Sequence, residues 1–433
     1  MRFVSTAGQA PAVDFATALR EGLAPDGGLY LPDALPSYPE RFFRELRPDM
    51  AAIGTELLRP FHDGIPDHAA AQLIREAFDF DVPLMRLEED LYVLELFHGP
   101  TLAFKDVAAR LLARLLGWLC RREDRLLTVL VATSGDTGSA VAQAFHRVPG
   151  SRVVVLYPAG RVSSLQEKLF ATLTGNVRSL AVDGSFDDCQ RLARAALQDT
   201  ELRARVLLTS ANSINVGRLL PQMTYYAHGF AQLPPAAPPV VFAVPSGNFG
   251  NLTAGLLVHR MGLPVARFVA GNNVNDAVTR YLENGVFAPR PAVLTISNAM
   301  DVGDPSNFAR VQALYGGDLG ALRRDVLASR HDDTETRHAI RDVYRRTGYL
   351  FDPHTAVAYL ALRRAFDREP GDRTGVVLAT AHPVKFREEI EPLIGRAIPM
   401  PERLARFLEQ PVCSRPMAAD LGALRSFLLA WDS

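Results

Sequence analysis

The sequence predicts an α/β protein of two lobes, each on a parallel-rich sheet covered by helices, with a separate N-terminal cap. Three observations predict it. Short β-branched apolar runs alternate with Gly/Ser/Asn loops and helical patterns, which implies parallel strands joined by crossover helices. The stretch Leu233-Pro234-Pro235-Ala236-Ala237-Pro238-Pro239 cannot continue a helix and reads as a stiff linker between lobes. At 433 residues the chain exceeds one compact core, so two or three domains are expected.

In order along the chain, residues 1–80 show only helical signals and Gly/Pro turns such as Ala24-Pro25-Asp26-Gly27-Gly28, and form the expected cap. Residues 81–232 form the expected first lobe. Its apolar run Leu91–Phe97 precedes a lysine-bearing loop. Leu126–Ala132 reads as a buried strand, followed by the loop Thr133–Gly138 and a helix through about His146. Arg152–Tyr157 is the next strand, with a helix over Ser164–Leu173. Val177–Val182 follows, and after it Ser185 and Asp188 resemble a capping box. Residues 233–433 form the expected second lobe, with strands Val240–Val244, Val265–Ala270 and Gly375–Leu378, each leading into a helix. Leu319–Arg346 reads as helical and Arg-rich, its charges a solvated face.

A formal net charge of -1 supplies no field to hold nucleic acid or an anionic membrane. Cys120, Cys189 and Cys413 lie far apart with no C-x-x-C, which fits a reducing compartment. No signal-peptide pattern opens the chain, and no run of about 18 apolar residues would span a bilayer. A cytoplasmic enzyme is expected.

Five loops carry the chemistry-bearing residues. In His98-Gly99-Pro100-Thr101-Leu102-Ala103-Phe104-Lys105-Asp106, apolar neighbours beside Lys105 favour a neutral, nucleophilic amine, although alone it also reads as a surface cation at a helix start. In Pro245-Ser246-Gly247-Asn248-Phe249-Gly250-Asn251, two glycines let backbone N–H groups converge at a helix N-terminus. That suits a phosphate, or a plain strand-to-helix turn. Thr133-Ser134-Gly135-Asp136-Thr137-Gly138 offers hydroxyls and N–H groups where open α/β sheets place ligands, or is an ordinary capped helix start. Ser210-Ala211-Asn212-Ser213-Ile214-Asn215, with Arg218, suits an anionic polar substrate, or is a hydrated loop. In Thr380-Ala381-His382-Pro383, the Thr380 hydroxyl suits a heterocyclic nitrogen. The chain lacks H-E-x-x-H and any Cys/His cluster, so no metal is expected; His98, His354 and His382 read as hydrogen-bonded loop histidines. It also lacks the G-x-S-x-G elbow of a serine hydrolase.

Together and in this order, the five loops resemble those of the threonine synthases. The resemblance runs from Gly22–Pro32 to about Gly395, through Asn272-Asn273-Val274-Asn275-Asp276 and Ser297–Gly303. That family belongs to the fold-type II pyridoxal-phosphate (PLP) enzymes, which look like the tryptophan synthase β subunit. The resemblance implies pyridoxal 5'-phosphate as cofactor, and conversion of O-phospho-L-homoserine and water to L-threonine and phosphate. It makes Lys105 the Schiff-base lysine, gives the cofactor phosphate to Gly247, Asn248, Phe249, Gly250 and Asn251, and sets Thr380 at the pyridine nitrogen. Thr133, Ser134 and Thr137 align with the loop that takes the substrate's carboxylate and phosphate; Asn212 and Arg218 fall where relatives bind the substrate phosphate. Many relatives have Asn in place of Asp136. An ionised Asp cannot donate a hydrogen bond, so Asp136 is either protonated or points elsewhere. The rival readings are another fold-type II enzyme, such as a dehydratase or a sulfhydrylase, and a non-catalytic homologue that binds a phosphorylated small molecule.

Overall fold

The computed structural model describes residues 1–123 and 126–431; the last two residues of the expected second lobe lie outside the described residues. One sheet has five strands, all parallel, in the order Arg415–Ala418, Val177–Asp183, Ser151–Pro158, Leu127–Ala132, Leu207–Ser210. The other has six, in the order Val326–Arg330, Val265–Asn272, Val240–Pro245, Thr374–Ala379, Leu91–Glu95, Leu84–Glu88, parallel except for the last pair. Leu127–Ala132, Ser151–Pro158, Val240–Pro245 and Thr374–Ala379 are buried at every position. Covered on both faces, they appear in sequence as unbroken apolar runs without alternation.

Helix Lys105–Glu123 buries Val107, Leu111, Leu112, Leu115 and Leu116, packing against helix Asp67–Ala77 on one side and Asp136–Phe145 on the other. Helix Pro353–Arg368 covers the six-stranded sheet. The capping box forms at the helix Phe186–Gln198: Ser185 Oγ accepts from Asp188 N at 3.1 Å while Asp188 accepts from Ser185 N at 2.9 Å. Such a cap contributes about 1 kcal/mol. Among the described residues, no helix is long and apolar enough to cross a membrane.

Three expectations about the fold need correction. The sheets do not divide at the proline-rich segment. Leu91–Glu95 pairs with Thr374–Ala379 in the six-stranded sheet, and Arg415–Ala418 crosses back to pair with Val177–Asp183. Pairing partners this far apart in sequence are chosen by burial of both faces, which a local pattern does not encode. The N-terminal region is not purely helical, since Phe3–Ser5 pairs antiparallel with Tyr30–Pro32. Three residues are too few to show a period-2 pattern. Within the Arg-rich stretch, Val326–Arg330 is an edge strand between helices Leu319–Asp325 and Asp333–Thr347. Its half-exposed pattern resembles a helix face.

Candidate active site

Each of the five loops begins at the carboxyl end of a parallel strand: Leu91–Glu95, Leu127–Ala132, Leu207–Ser210, Val240–Pro245 and Thr374–Ala379. Those ends are where open α/β sheets bind ligands. Strands of both sheets therefore deliver Lys105, Ser134, Thr137, Asn212, Arg218, Gly247–Asn251 and Thr380 to one cleft.

Lys105 is the first residue of its helix and 14 % exposed. The loop before it is fixed to the loop after Thr374–Ala379 by Phe104 N donating to Thr380 O at 2.9 Å and His382 N to Leu102 O at 3.1 Å. Burial holds the Lys105 amine below the usual lysine range. Asp136 opposes that shift, while Lys385 and Arg218 add to it. A helix N-terminus also disfavours a cation. Lys105 Nζ lies 3.6 Å from Asp136 Oδ2 and over the Phe104 ring, 5.1 Å from its centroid. Asp136 is buried and ionised, and so a hydrogen-bond acceptor only. Burial alone would raise its carboxyl, but Lys385 and Lys105, with Gln166 donating at 2.8 Å, hold it well below the carboxylate range.

The glycine-rich loop has the features of an anion cradle. Among the described residues, the N–H groups of Gly247, Asn248 and Phe249 meet no protein acceptor. Phe249 adopts a left-handed backbone with φ 61°, a strained conformation for a bulky residue and one that clusters at ligand sites. Asn248 Nδ2 donates to Ser213 Oγ at 2.8 Å, which stitches this loop to the one after Leu207–Ser210. Asn251 accepts from Tyr225 and Tyr226 through Oδ1, leaving its buried Nδ2 without a partner. The two glycines differ. A Cβ on Gly247 would fall 2.6 Å from the Met300 Cα, whereas one on Gly250 would make only ordinary contacts. Gly247→Ala is therefore expected to weaken cofactor binding about tenfold or more, in line with the ~1–3 kcal/mol cost of overpacking, with Gly250→Ala little changed. Titration of the cofactor-free protein measures both.

The hydroxyls of Ser134, Thr137 and Thr380 line the cleft and have no protein partner among the described residues. Thr133 is absent from the cleft lining, and its Oγ1 accepts from Gly135 N and Gly138 N, both at 2.8 Å, so it shapes the loop. Asn212 lines the cleft, but its amide is engaged at both ends by Ala132, donating to O at 2.7 Å and accepting from N at 3.0 Å. It anchors the strand end, and its second Nδ2 hydrogen remains available toward the cleft. Arg218 is buried, with Nη1 on Ala211 O at 2.6 Å and Nε unpartnered. No carboxylate lies within ion-pair distance of it among the described residues. Burial pushes its guanidinium down to about 10.

Several residues in the cleft escaped the sequence reading. The loop Asn298–Val302 forms one wall, held by His354, whose Nε2 accepts from Ala299 N at 3.1 Å while Nδ1 bonds Asp352 at 2.7 Å. Burial pushes the Asp301 carboxyl in that wall up to about 6. Ser213 and Gln222 also line the cleft, while Lys385 stands behind Asp136. The run Ser297–Gly303, the loop holding Ser213, and His354 carried a sequence signal; Gln222 and Lys385 carried none. As expected, His98 and His382 are hydrogen-bonded loop histidines, on Glu95 and on Val384 N.

Comparison with known proteins decides which chemistry the cleft serves. A family model described as pyridoxal-phosphate dependent enzyme matches residues 81–380, and models of the threonine synthase N terminus and C-terminal region match 2–78 and 355–428. A threonine synthase of Haemophilus influenzae is 44% identical over 422 residues, covering 96% of this chain and 97% of that protein. The chain belongs to the threonine synthase family. It is a PLP-dependent enzyme of the fold-type II α/β class. The crystal structure of the Escherichia coli threonine synthase superposes with a TM-score of 0.93 at 42% identity, covering 99% of each chain. The PLP-bound threonine synthase of Brucella melitensis gives 0.92 at 35% identity, again covering 99% of each. The residues present fit that cofactor. Among the described residues, the N–H groups of Gly247–Phe249 and the Asn251 Nδ2 lack acceptors and Thr380 offers an unpartnered hydroxyl, while Lys105 has the depressed basicity a carbonyl-reactive amine needs.

Proposed function

We propose that this cleft converts O-phospho-L-homoserine and water to L-threonine and inorganic phosphate, with Lys105 as cofactor anchor and proton carrier. The observation that carries the reading is Lys105 itself, a nearly buried amine of lowered basicity in the cleft that also holds the unpaired Arg218 guanidinium. Gly247, Asn248, Phe249, Gly250 and Asn251 would hold the cofactor phosphate, and Thr380 its ring nitrogen. When bound, PLP supplies an electron sink that acidifies the substrate Cα–H, a weaker sink opposite neutral Thr380 than opposite a carboxylate.

Lys105 Nζ takes the proton from Cα and relays the one from Cβ. Arg218, Ser134 and Thr137 hold the substrate's anionic ends, orienting the Cγ–O bond for departure. Phosphate leaves from Cγ, a proton delivered to Cγ makes the methyl group, water adds its hydroxyl at Cβ, and Lys105 returns a proton to Cα. A dehydratase or sulfhydrylase needs no second anion site, so the unpaired Arg218 favours this reading over either. The unbridged cysteines, two of them buried, support a cytoplasmic location.

The test is borohydride reduction of the purified holoenzyme followed by peptide mass spectrometry. Loss of the visible band with a pyridoxyl label on Lys105 is expected. A label on any other lysine contradicts the assignment.

A further inference from the structure

Behind the cleft lies a second lysine. Lys385 follows strand Thr374–Ala379, and its side chain is completely buried. Its ammonium bonds Asp136 Oδ1 and donates to Thr101 O at 3.1 Å. Oδ1 also accepts from Gln166, while Oδ2 faces Lys105 at 3.6 Å, beyond a normal hydrogen bond. One buried carboxylate thus stands between two lysines, with the Arg218 guanidinium near Lys105 as a further cation. The other charged group here, Asp106, lies beyond Thr101, accepting its N–H at 2.8 Å and its hydroxyl at 2.6 Å, with Arg110 and Arg403 nearby.

Charge counting decides which lysine gives up its proton. A buried carboxylate stabilises one ammonium well, but a second, beside a guanidinium, is unpaired and costly. Lys385 has the direct contact and a carbonyl acceptor besides. Lys105 has the longer contact, the helix N-terminus and Arg218. Were Lys385 absent, Asp136 would pair with Lys105 and hold it protonated.

We propose that Lys385 is a positioning residue: by occupying the Asp136 carboxylate, it keeps Lys105 as the neutral amine. This rests on the reading that Lys105 anchors the cofactor. It also accounts for an acidic residue beside the anchoring lysine, since the Asp136–Lys385 pair is neutral as a unit.

The experiment follows the visible band as PLP is added to cofactor-free, full-length protein across pH, because the loading rate reports the fraction of neutral Lys105. Lys385→Met is expected to move the midpoint of the profile up by at least about one unit, slowing loading about tenfold at a pH below both midpoints. Asp136→Asn moves the midpoint down, and carries the test alone if Lys385→Met does not fold by circular dichroism. A merely structural role for Lys385 would not produce opposite shifts. Midpoints unmoved from wild type, or moving the same way in both variants, overturn the proposal. A borohydride label away from Lys105 in the wild type would instead overturn the anchor assignment, so the two failures are distinguishable.

Discussion

Lys105→Ala is expected to keep the wild-type fold and to lose at least about 100-fold in turnover, because covalent anchoring and proton transfer are each worth that much or more. The fold survives because the side chain has few structural duties. Asp136 keeps Lys385 and Gln166 as partners, and the loop is held by backbone bonds from Phe104 N to Thr380 O and from His382 N to Leu102 O. Phosphate release from O-phosphohomoserine measures the loss, and circular dichroism measures the fold. A folded variant that retains more than about a hundredth of wild-type turnover would remove Lys105 from the chemistry.

Arg218→Ala is expected to lower kcat/KM at least about tenfold. Charge-assisted hydrogen bonds contribute about 1.5–3 kcal/mol each, and about 1.4 kcal/mol is a factor of ten. Among the described residues the guanidinium has no carboxylate partner and bonds only through Nη1, so hydrogen-bonding capacity remains for a ligand. Arg218→Lys should recover only part of the loss, since a point charge does not reproduce the planar fork. The cofactor spectrum stays normal in both variants, because the cofactor phosphate belongs to the Gly247–Asn251 loop. Release of PLP from the alanine variant would show instead that Arg218 serves the cofactor.

What the sequence made legible was local. Three of the five loops follow strands buried at every position, Leu127–Ala132, Val240–Pro245 and Thr374–Ala379, so the Thr133–Gly138 loop, the glycine-rich cradle and Thr380 were readable as residues at strand ends, and Lys105 as a residue after the apolar run Leu91–Phe97. Direction and partnership were not. Thr133 and Ser134 are adjacent and both polar, yet one turns inward to hold Gly135 and Gly138 while the other lines the cleft. Asn212 sits in the expected place with its amide engaged by a residue 80 positions away. Gly247 and Gly250 look equivalent in sequence, but only Gly247 presses on the Met300 backbone. Asp136 posed a question of protonation that the sequence left open. Its answer depends on Lys385, which lies far along the chain, in the short helical turn Pro383–Phe386 after a strand of the other sheet. Sheet membership was hidden for the same reason, as Leu91 and Gly375 share a register only in three dimensions.

The most direct test supplies the purified holoenzyme with O-phospho-L-homoserine in water and quantifies both products. Inorganic phosphate and L-threonine should appear in equal amounts, the threonine carrying one solvent oxygen at Cβ when the water is oxygen-18 labelled. Phosphate released with a 2-oxo acid and ammonia in place of threonine, or no phosphate release from a folded, PLP-loaded protein, would contradict the account.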